Sequence, residues 1–415
     1  MYRLLEGLRV VEAASFIAAP SCALHLGQMG AEIIRIDPVG GGPDFTRWPK
    51  ASNGASLYWE GLNKGKKSIA LNLASPAGRE LALAIATAPG RDAGLFVTNY
   101  PVKGMFAHAQ LAARRKDIIS VRVMGWSDGR NALDYTVNSA LGLPLITGPS
   151  DLGDAPVNHV LPAWDLATGL YAAFALMAAE RRRSRTGEGE EVRVPLGDVA
   201  MATLGHLGQI AEVTESGRDR ERVGNDLFGA FGRDFRTADG RRIIIVALTA
   251  RQWKDLLSTL GIGEAIAKLE QELGVDFSAD EGVRFEHREH LNRIVADAIG
   301  RRDRADLVGS FEGTGVCWGD YNTLHEAIGD PQLVAAANPL FAEVRHPSGR
   351  TYLTPGAAAT LVGSTRGAAV RAPALGEHTD QILASVLGLS DGAIGKLHDE
   401  GTVAGADSPV RGTVQ

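Results

Sequence analysis

Short apolar runs alternate with amphipathic stretches in the N-terminal third of the chain. The pattern predicts strands at 9–13, 31–37, 66–73, 94–99 and 118–123. Between them it predicts helices from Pro20 to Gly30, over 76–88 and over 111–116. Strands that alternate with helices indicate an α/β fold with a mostly parallel sheet covered on both faces. Ligands of such sheets bind outside the carboxyl ends of the strands, here in the loops at 15–20, 37–44, 99–104 and 124–134.

The pattern changes in the second half of the chain. Predicted helices at 170–183 and 198–215 complete a large domain over 1–215, and a polar, glycine-rich stretch at 216–227 indicates a linker. A strand-like run at 240–247 and helices at 253–260, 265–273, 284–299 and 304–311 predict a smaller, mainly helical α+β domain over 228–325. The remaining residues, 326–415, read as a linker and a C-terminal segment with a helix starting near Gly376, and we expect the tail after Gly401 to be frayed.

Composition limits the function classes. The 415 residues carry a net charge of −6 and include only two cysteines. The negative balance gives no general attraction to nucleic acid or to an anionic membrane, so neither is expected as a partner. Cys22 and Cys317 lie far apart, which argues against a disulfide scaffold and for a reducing compartment. With no basic leader and no apolar run of membrane-spanning length, we expect a cytoplasmic protein.

One carboxylate is placed where it could react. Asp165 stands just before the apolar helical run at 170–179. The first-turn N–H groups and the dipole of that helix favour an anion there, and such a carboxylate can act as a nucleophile. The alternative is that Asp165 is an ordinary N-cap, whose oxygen accepts a hydrogen bond from the first turn. Its position alone leaves both interpretations open.

Other motifs argue mostly against common cofactors. The turn at 15–20 has no glycine for a close pyrophosphate approach, so Asp37 at the end of the second strand does not indicate a nicotinamide cofactor. The two histidines at 287–290 sit among arginines without a third ligand nearby, so no metal is expected. Basic residues at the same predicted sheet edge form either a phosphate-binding patch or ordinary solvated surface: Arg35, Arg47, Lys64, Lys66, Lys67 and Lys103.

Several blocks taken together resemble a known family. They lie at 8–13, 26–37, 62–73, 98–101, 163–169, 185–192 and 375–380, in the same order as in the family III CoA-transferases, the carnitine dehydratase and bile-acid-inducible group. The resemblance covers nearly the whole chain. It implies a Rossmann-like large domain built from N- and C-terminal segments and a homodimer whose subunits interlock like chain links. It also implies coenzyme A, bound as an acyl-CoA substrate, with carboxylic acids as the other small molecules and no metal.

The resemblance assigns roles to individual residues. Asp165 matches the nucleophilic aspartate, and backbone N–H groups near it or around 224–229 would be oxyanion donors. Contacts to the adenine and phosphates of CoA would fall on seven residues: Phe16, Ile17, Ala18, Lys66, Asn99, Tyr100 and Lys103. Two departures limit this transfer. The glycine-run lid of formyl-CoA transferase is replaced by 224–232, and the basic residues after the second strand are replaced by Pro38 and Val39.

One reaction of the family, racemisation, requires a basic residue that this sequence lacks at the corresponding position. Racemases of the family carry a Gly-His-Asp motif that falls on 132–134, where Leu133 replaces the histidine. Leucine cannot carry a proton, so acyl-CoA transfer is favoured. The runs at 133–138 and 158–165 look most like the 2-methylfumaryl-CoA (mesaconyl-CoA) isomerase branch, in which CoA moves between C1 and C4 of one dicarboxylate. His159 or Arg47 is then a candidate charge partner for the retained acid. Intermolecular CoA transfer, racemisation and non-catalytic acyl-CoA binding are the alternatives.

Overall fold

A seven-stranded sheet forms the centre of the first part of the molecule. The structure is a computed structural model that describes residues 1–406. The strand order is β12-β3-β2-β1-β4-β5-β6, and all neighbours are parallel except β12, which is antiparallel to β3. The strands, numbered in chain order, are β1 (Arg9–Ala13), β2 (Glu32–Pro38), β3 (Lys67–Leu71), β4 (Leu95–Thr98), β5 (Ile119–Met124), β6 (Glu190–Pro195) and β12 (Val403–Ala404). The predicted α/β fold with a mostly parallel sheet is confirmed.

The helices of this part cover both faces of the sheet. Their bounds are α1 (Ala18–Gln28), α2 (Leu57–Leu62), α3 (Pro76–Ala86), α4 (His108–Arg114), α5 (Asp134–Ala140), α7 (Ala163–Thr186), α8 (Leu196–His206), α16 (Thr379–Leu387) and α17 (Asp391–Asp399). Apolar side chains of β1 to β4 are almost fully buried against α3, α4, α16 and α17. This burial on both faces explains why the strands read as continuous apolar runs.

The sheet order reverses between β1 and β4. From β1 the order continues with β2 and β3 in one direction, and from β4 it continues with β5 and β6 in the other. The loops that follow β1 and β4 therefore leave the same edge side by side. This is the topological switch point at which open parallel sheets bind ligands. The loops at 14–17 and 99–107 are therefore the ones that the fold brings together.

The C-terminal segment joins the edge of the sheet. Val403 and Ala404 pair with β3, so the prediction of a frayed tail directly after Gly401 was wrong for these residues; residues 407–415 lie outside the described part. Thr379 fixes this return, because its Oγ1 donates to the Ala404 carbonyl at 2.7 Å and accepts from the Ala70 N–H. A hairpin of β10 (Phe341–Arg345) and β11 (Thr351–Pro355) precedes it.

The second compact unit has its own core. Its strands β7 (Phe231–Arg236), β8 (Arg242–Ala247) and β9 (Cys317–Asp320) form an antiparallel sheet. Its helices are α6 (Leu143–Ile146), α10 (Ala250–Leu260), α11 (Gly263–Leu273), α12 (Glu281–Glu286), α13 (Arg288–Gly300), α14 (Arg304–Phe311) and α15 (Leu324–Gly329). The single helix predicted over 284–299 is two helices with a break at His287, and the strands at 231–236 and 317–320 were not predicted.

The two units are interleaved in the sequence. The first comprises Met1–Leu141, His159–Glu212 and the described residues from Gly329 onward, and the second comprises Gly142–Asn158 and Val213–Ile328. Helix α9 (Gln209–Ser216) runs through the change at Glu212. The domain boundaries at 215, 227 and 325 stay predictions. No helix among residues 1–406 is long and apolar enough to cross a membrane.

Candidate active site

The two loops at the switch point are joined by one side chain. Asn99 follows β4, its Nδ2 donates to the Ser15 carbonyl at 2.9 Å, and its Oδ1 accepts the Ser15 N–H at 3.2 Å. Phe16, the next residue along, has φ of +67°. A non-glycine residue in this left-handed region costs on the order of 1–3 kcal/mol, which is typically tolerated where a site requires the geometry. The structure therefore brings Phe16, Ile17, Ala18, Asn99 and Tyr100 to one edge.

Asp165 lies within the first turn of α7 and does not cap it. The helix starts at Ala163, so Asp165 is its third residue. The cap comes from Asp134, whose Oδ2 accepts the N–H groups of Trp164 at 2.7 Å and Asp165 at 3.2 Å. The N-cap alternative for Asp165 is therefore wrong. The same two bonds occupy N–H groups that were expected as oxyanion donors, so these cannot serve while Asp134 holds them.

Helix α7 is held close to the switch point by a glycine. A Cβ at Gly169 would lie 2.0 Å from the Ser21 Oγ and 2.8 Å from the Ala18 carbonyl oxygen of α1. Only a residue without a side chain permits this approach of the two helices. Asp165 lies one turn before Gly169, so the close packing places its carboxylate at the end of α7 that faces the start of α1.

The surroundings of Asp165 make it a weak acid for its type. Burial and, to a smaller extent, the negative charge of Asp134 raise the pKa of its carboxyl, the Arg47 guanidinium lowers it, and the net result is a shift from 3.8 to about 6. Within residues 1–406 its carboxylate oxygens accept no hydrogen bond, whereas Asp134 accepts three. An incompletely solvated carboxylate without hydrogen-bond donors is more basic and more reactive than one in water.

His159, a candidate charge partner from the sequence, is paired with Asp134, the residue that caps α7. The Nε2 of His159 lies 2.5 Å from the Asp134 Oδ1, and the Tyr135 ring packs edge-on against the imidazole at 5.4 Å. Leu133 excludes a histidine only at the position directly before Asp134 in sequence. A His–Asp pair is present next to Asp165 all the same, contributed by the segment just before α7.

Two of the predicted basic residues are buried in a structural network. Arg35 is an interior residue of β2, and its guanidinium binds Glu12, Asp37 and Asp44 at 2.7–2.8 Å. Lys66 is fully buried, and its ammonium donates to the Glu12 carboxylate, the Pro20 carbonyl and the Asn63 side chain at 2.6–2.9 Å. These bonds use all three N–H groups of the ammonium. The prediction that Arg35 lies at the exposed sheet edge was wrong. The ammonium of Lys66 has no N–H group left to bind a phosphate.

Arg47 and Lys103 are exposed cations at this edge. The Arg47 guanidinium lies 5.4 Å from the ring centres of both Phe16 and Tyr58. Lys103 is exposed in the loop after β4. A nearby cavity of about 290 Å³, lined by Trp59 among others, includes none of the predicted site residues. The candidate site is thus the open edge formed by the switch-point loops and the start of α7.

Sequence blocks outside this edge have structural roles. His378 accepts the Ser68 N–H on its Nδ1 at 3.3 Å and, with Thr379, attaches the C-terminal segment to β3. The loop at 224–232, which replaces the glycine-run lid of formyl-CoA transferase, lies in the second unit and leads into β7. Its function as a lid or oxyanion donor stays a prediction. Within residues 1–406, no group of three or more His, Cys, Asp or Glu could hold a metal ion.

Comparison with known proteins identifies the family. The sequence model of CoA-transferase family III matches residues 5–379 of this chain. The chain belongs to this family. Its substrates are therefore acyl-CoA thioesters, and the resemblance drawn from the sequence blocks is confirmed.

Relatives extend over nearly the full length of the chain. A 2-methylfumaryl-CoA isomerase of Chloroflexus aurantiacus is 47% identical over 98% of this chain and 99% of its own. The succinyl-CoA:glutarate CoA-transferase of Mus musculus is 30% identical over 96% of this chain and 90% of its own. A solved CAIB/BAIF family protein from Brucella suis matches with a TM-score of 0.74 at 25% identity, covering 92% of this chain and 99% of that one. This CoA-transferase therefore shares its fold with a solved protein of the CAIB/BAIF family.

Proposed function

We propose that this CoA-transferase moves CoA between the C1 and C4 carboxyls of 2-methylfumaryl-CoA, with Asp165 as the nucleophile. The observation that carries the proposal is the Asp165 carboxylate itself, partly buried at the start of α7, free of hydrogen-bond donors among residues 1–406 and with a pKa of about 6. The 47% identity to the Chloroflexus isomerase supports the choice of reaction. Intermolecular CoA transfer is the second candidate, favoured by the 30% identity to the mouse transferase.

The first half of the reaction removes the acyl group from CoA. A carboxylate oxygen of Asp165 attacks the thioester carbonyl carbon, the C–S bond breaks, and the CoA thiolate is released. The other product is a mixed anhydride between Asp165 and the acyl group. The thiolate then attacks the Asp165 carbonyl carbon of the anhydride. This gives an aspartyl-CoA thioester and a free dicarboxylate.

The second half reverses these steps through the other carboxyl. The distal carboxylate of the retained acid attacks the aspartyl thioester and expels the thiolate, and the thiolate attacks the acyl carbonyl carbon of the new anhydride. The isomeric thioester leaves and the Asp165 carboxylate is restored. No proton is transferred in any step, and one thioester replaces another of similar energy, so no ATP is required. Retention of the freed acid is the condition for isomerisation, because escape competes with the second attack.

The CoA moiety would lie across the switch-point edge. Phe16, Ile17, Ala18, Asn99 and Tyr100 offer backbone and ring surface there. The exposed ammonium of Lys103 and the guanidinium of Arg47 can bind phosphate oxygens. This assignment leaves Lys66 with an indirect role, because its buried ammonium holds the first turn of α1 through the Pro20 carbonyl.

We infer that the chain works as an interlocked homodimer. The support is a row of exposed apolar side chains on α7, in which Leu170, Tyr171 and Phe174 are 55–68% exposed. Exposed apolar surface on one helix face is characteristic of an interface. Sedimentation velocity tests this: Phe174→Asp should shift a dimer of wild-type protein towards monomer, and a monomeric wild type would contradict the inference.

An isotope experiment tests the proposed reaction. The enzyme receives unlabelled 2-methylfumaryl-CoA thioesterified at C1 together with excess ¹³C-labelled free 2-methylfumarate, and mass spectrometry follows the C4 thioester. Product without label supports intramolecular transfer. Label that enters at the turnover rate shows that CoA passes between separate acids.

A further inference from the structure

The His159–Asp134 pair has no task in the transfer steps derived above. Those steps move no proton, so neither a general base nor a general acid is needed. The pair is nevertheless adjacent to the nucleophile, because Asp134 binds the Asp165 N–H at 3.2 Å and His159 at 2.5 Å. A pair bound to the backbone of the nucleophilic residue can contact the substrate.

The hydrogen bonds fix the orientation of the imidazole. Asp134 is 2% exposed, and its Oδ2 is occupied by two backbone N–H groups. An ionised carboxylate only accepts hydrogen bonds, so the His159 Nε2 must be the donor. The other ring nitrogen, Nδ1, has no hydrogen-bond partner within residues 1–406, and the side chain is 26% exposed. The ring is therefore held at one nitrogen and open at the other.

A cation near Asp165 would reduce the electrostatic repulsion between carboxylates when a dicarboxylate binds. Asp134 and Asp165 are both carboxylates, and a substrate carboxylate beside them adds a third negative charge. Arg47 is the cation whose charge acts on Asp165. The imidazole of His159 has two ring nitrogens, so it can hold Asp134 through Nε2 and donate to a substrate carboxylate through Nδ1. Its planar ring, packed against Tyr135, loses little side-chain freedom on binding.

We propose that His159, held by Asp134, binds the carboxylate of the acyl group that is not joined to CoA, through a hydrogen bond from Nδ1. The residue thereby selects dicarboxylyl thioesters over monocarboxylyl ones and retains the freed acid until its second attack. This proposal rests on the proposed function, because it assumes acylation at Asp165. It adds a substrate-binding residue and a reason for the selectivity.

His159→Gln is the sharpest variant. The glutamine amide can still donate to Asp134 and so maintain the cap of α7, but it has no group in the place of Nδ1. The test substrate is 2-methylfumaryl-CoA, and tiglyl-CoA is the comparison because it has a methyl group in place of the distal carboxyl. Hydroxylamine trapping of acylated Asp165 reports a single-turnover rate for each thioester. His325→Gln, at an exposed position of α15, is the matched control.

The expected result is specific to the dicarboxylate. A hydrogen bond to a charged group contributes about 1.5–3 kcal/mol, so His159→Gln should lower the trapping efficiency for 2-methylfumaryl-CoA about 10- to 150-fold. The rate for tiglyl-CoA and the affinity for CoA should stay unchanged. In the isotope experiment, labelled free acid should enter the product of His159→Gln because the freed acid now escapes.

Other outcomes overturn the proposal. Equal losses with both thioesters would show that His159 only positions Asp134 and α7, and no loss would show that it does not bind substrate. Wild-type enzyme gives a second test that needs no variant: equal trapping rates for the two thioesters contradict selection by a carboxylate-binding residue. Absence of trapping at Asp165 in wild type with either thioester would instead reject the proposed function, so the two failures are distinguishable.

Discussion

Asp165→Asn should make the protein more stable while it abolishes transfer. In the folded protein, burial and the charge of Asp134 raise the pKa of the Asp165 carboxyl from 3.8 to about 6. Near neutral pH the carboxyl is ionised in both the folded and the unfolded state, and ionisation is less favourable in the folded state. Asparagine has nearly the same shape and no charge. The substitution therefore removes an electrostatic cost that the wild-type site carries for reactivity.

The size of the effect follows from proton linkage. At about 1.4 kcal/mol per pKa unit, the raised pKa corresponds to at most about 3 kcal/mol of lost folding free energy, and we expect about 1–3 kcal/mol because Asp165 keeps some contact with solvent. Between pH 3.8 and about 6 the folded state binds more protons than the unfolded state, so this contribution lowers stability as pH rises. The advantage of Asp165→Asn should be full above pH 6 and vanish near pH 4.

Chemical denaturation at a fixed protein concentration measures the difference. Wild type, Asp165→Asn and the control Asp154→Asn, at an exposed loop position, are compared at pH 7.5 and pH 4. The control should differ from wild type by less than about 0.5 kcal/mol at both values. A gain for Asp165→Asn of the same size at both pH values, or no gain at pH 7.5, would refute the reasoning about the nucleophile's ionisation.

Three further predictions follow from the packing and charges. Gly169→Ala should lower stability by about 1–3 kcal/mol because its methyl group overlaps α1, whereas Gly205→Ala, with only a 3.7 Å contact, should not; equal thermal midpoints would contradict the close packing. Lys66→Met should cost about 3–5 kcal/mol in denaturation by leaving a buried carboxylate unpaired, whereas Lys103→Met should keep its stability and weaken CoA binding, measured by calorimetry. The reverse pattern would make Lys66 the phosphate ligand. Arg47→Gln should move the acidic limb of the pH–rate profile to higher pH, since the charge of Arg47 lowers the nucleophile's pKa; an unmoved limb would contradict that electrostatic effect.

The large sheet could be predicted from sequence because its signal is local. Each of the strands β1 to β5 is an apolar run followed by a helix, and that alternation alone implies parallel neighbours. The strand β7 escaped prediction because its polar residues at 233–234 break the apolar pattern, although its phenylalanines are buried in the core of the second unit. Strand β9 escaped prediction for another reason, because its partner β8 is distant in sequence.

Contacts between distant residues also limited the prediction of the candidate site from sequence. The sequence placed Asp165 at a helix start but could not name the cap, because Asp134 lies 31 residues away. The prediction of Arg35 as a cation of the exposed sheet edge failed because the strand register places it opposite Glu12, across β1 and β2. The two side chains form a buried ion pair. Lys66 is drawn to the same glutamate. Charge patterns identify cations, but the strand register decides which of them reach solvent.

Direct trapping of the covalent intermediate tests the central claim. Wild-type enzyme is incubated with 2-methylfumaryl-CoA and hydroxylamine, digested, and mapped by mass spectrometry, with Asp165→Ala as the control. We predict a hydroxamate on Asp165 alone, and for Asp165→Ala no turnover with retained CoA binding. A hydroxamate on another carboxylate, or turnover by Asp165→Ala, would contradict the assignment of Asp165 as the nucleophile.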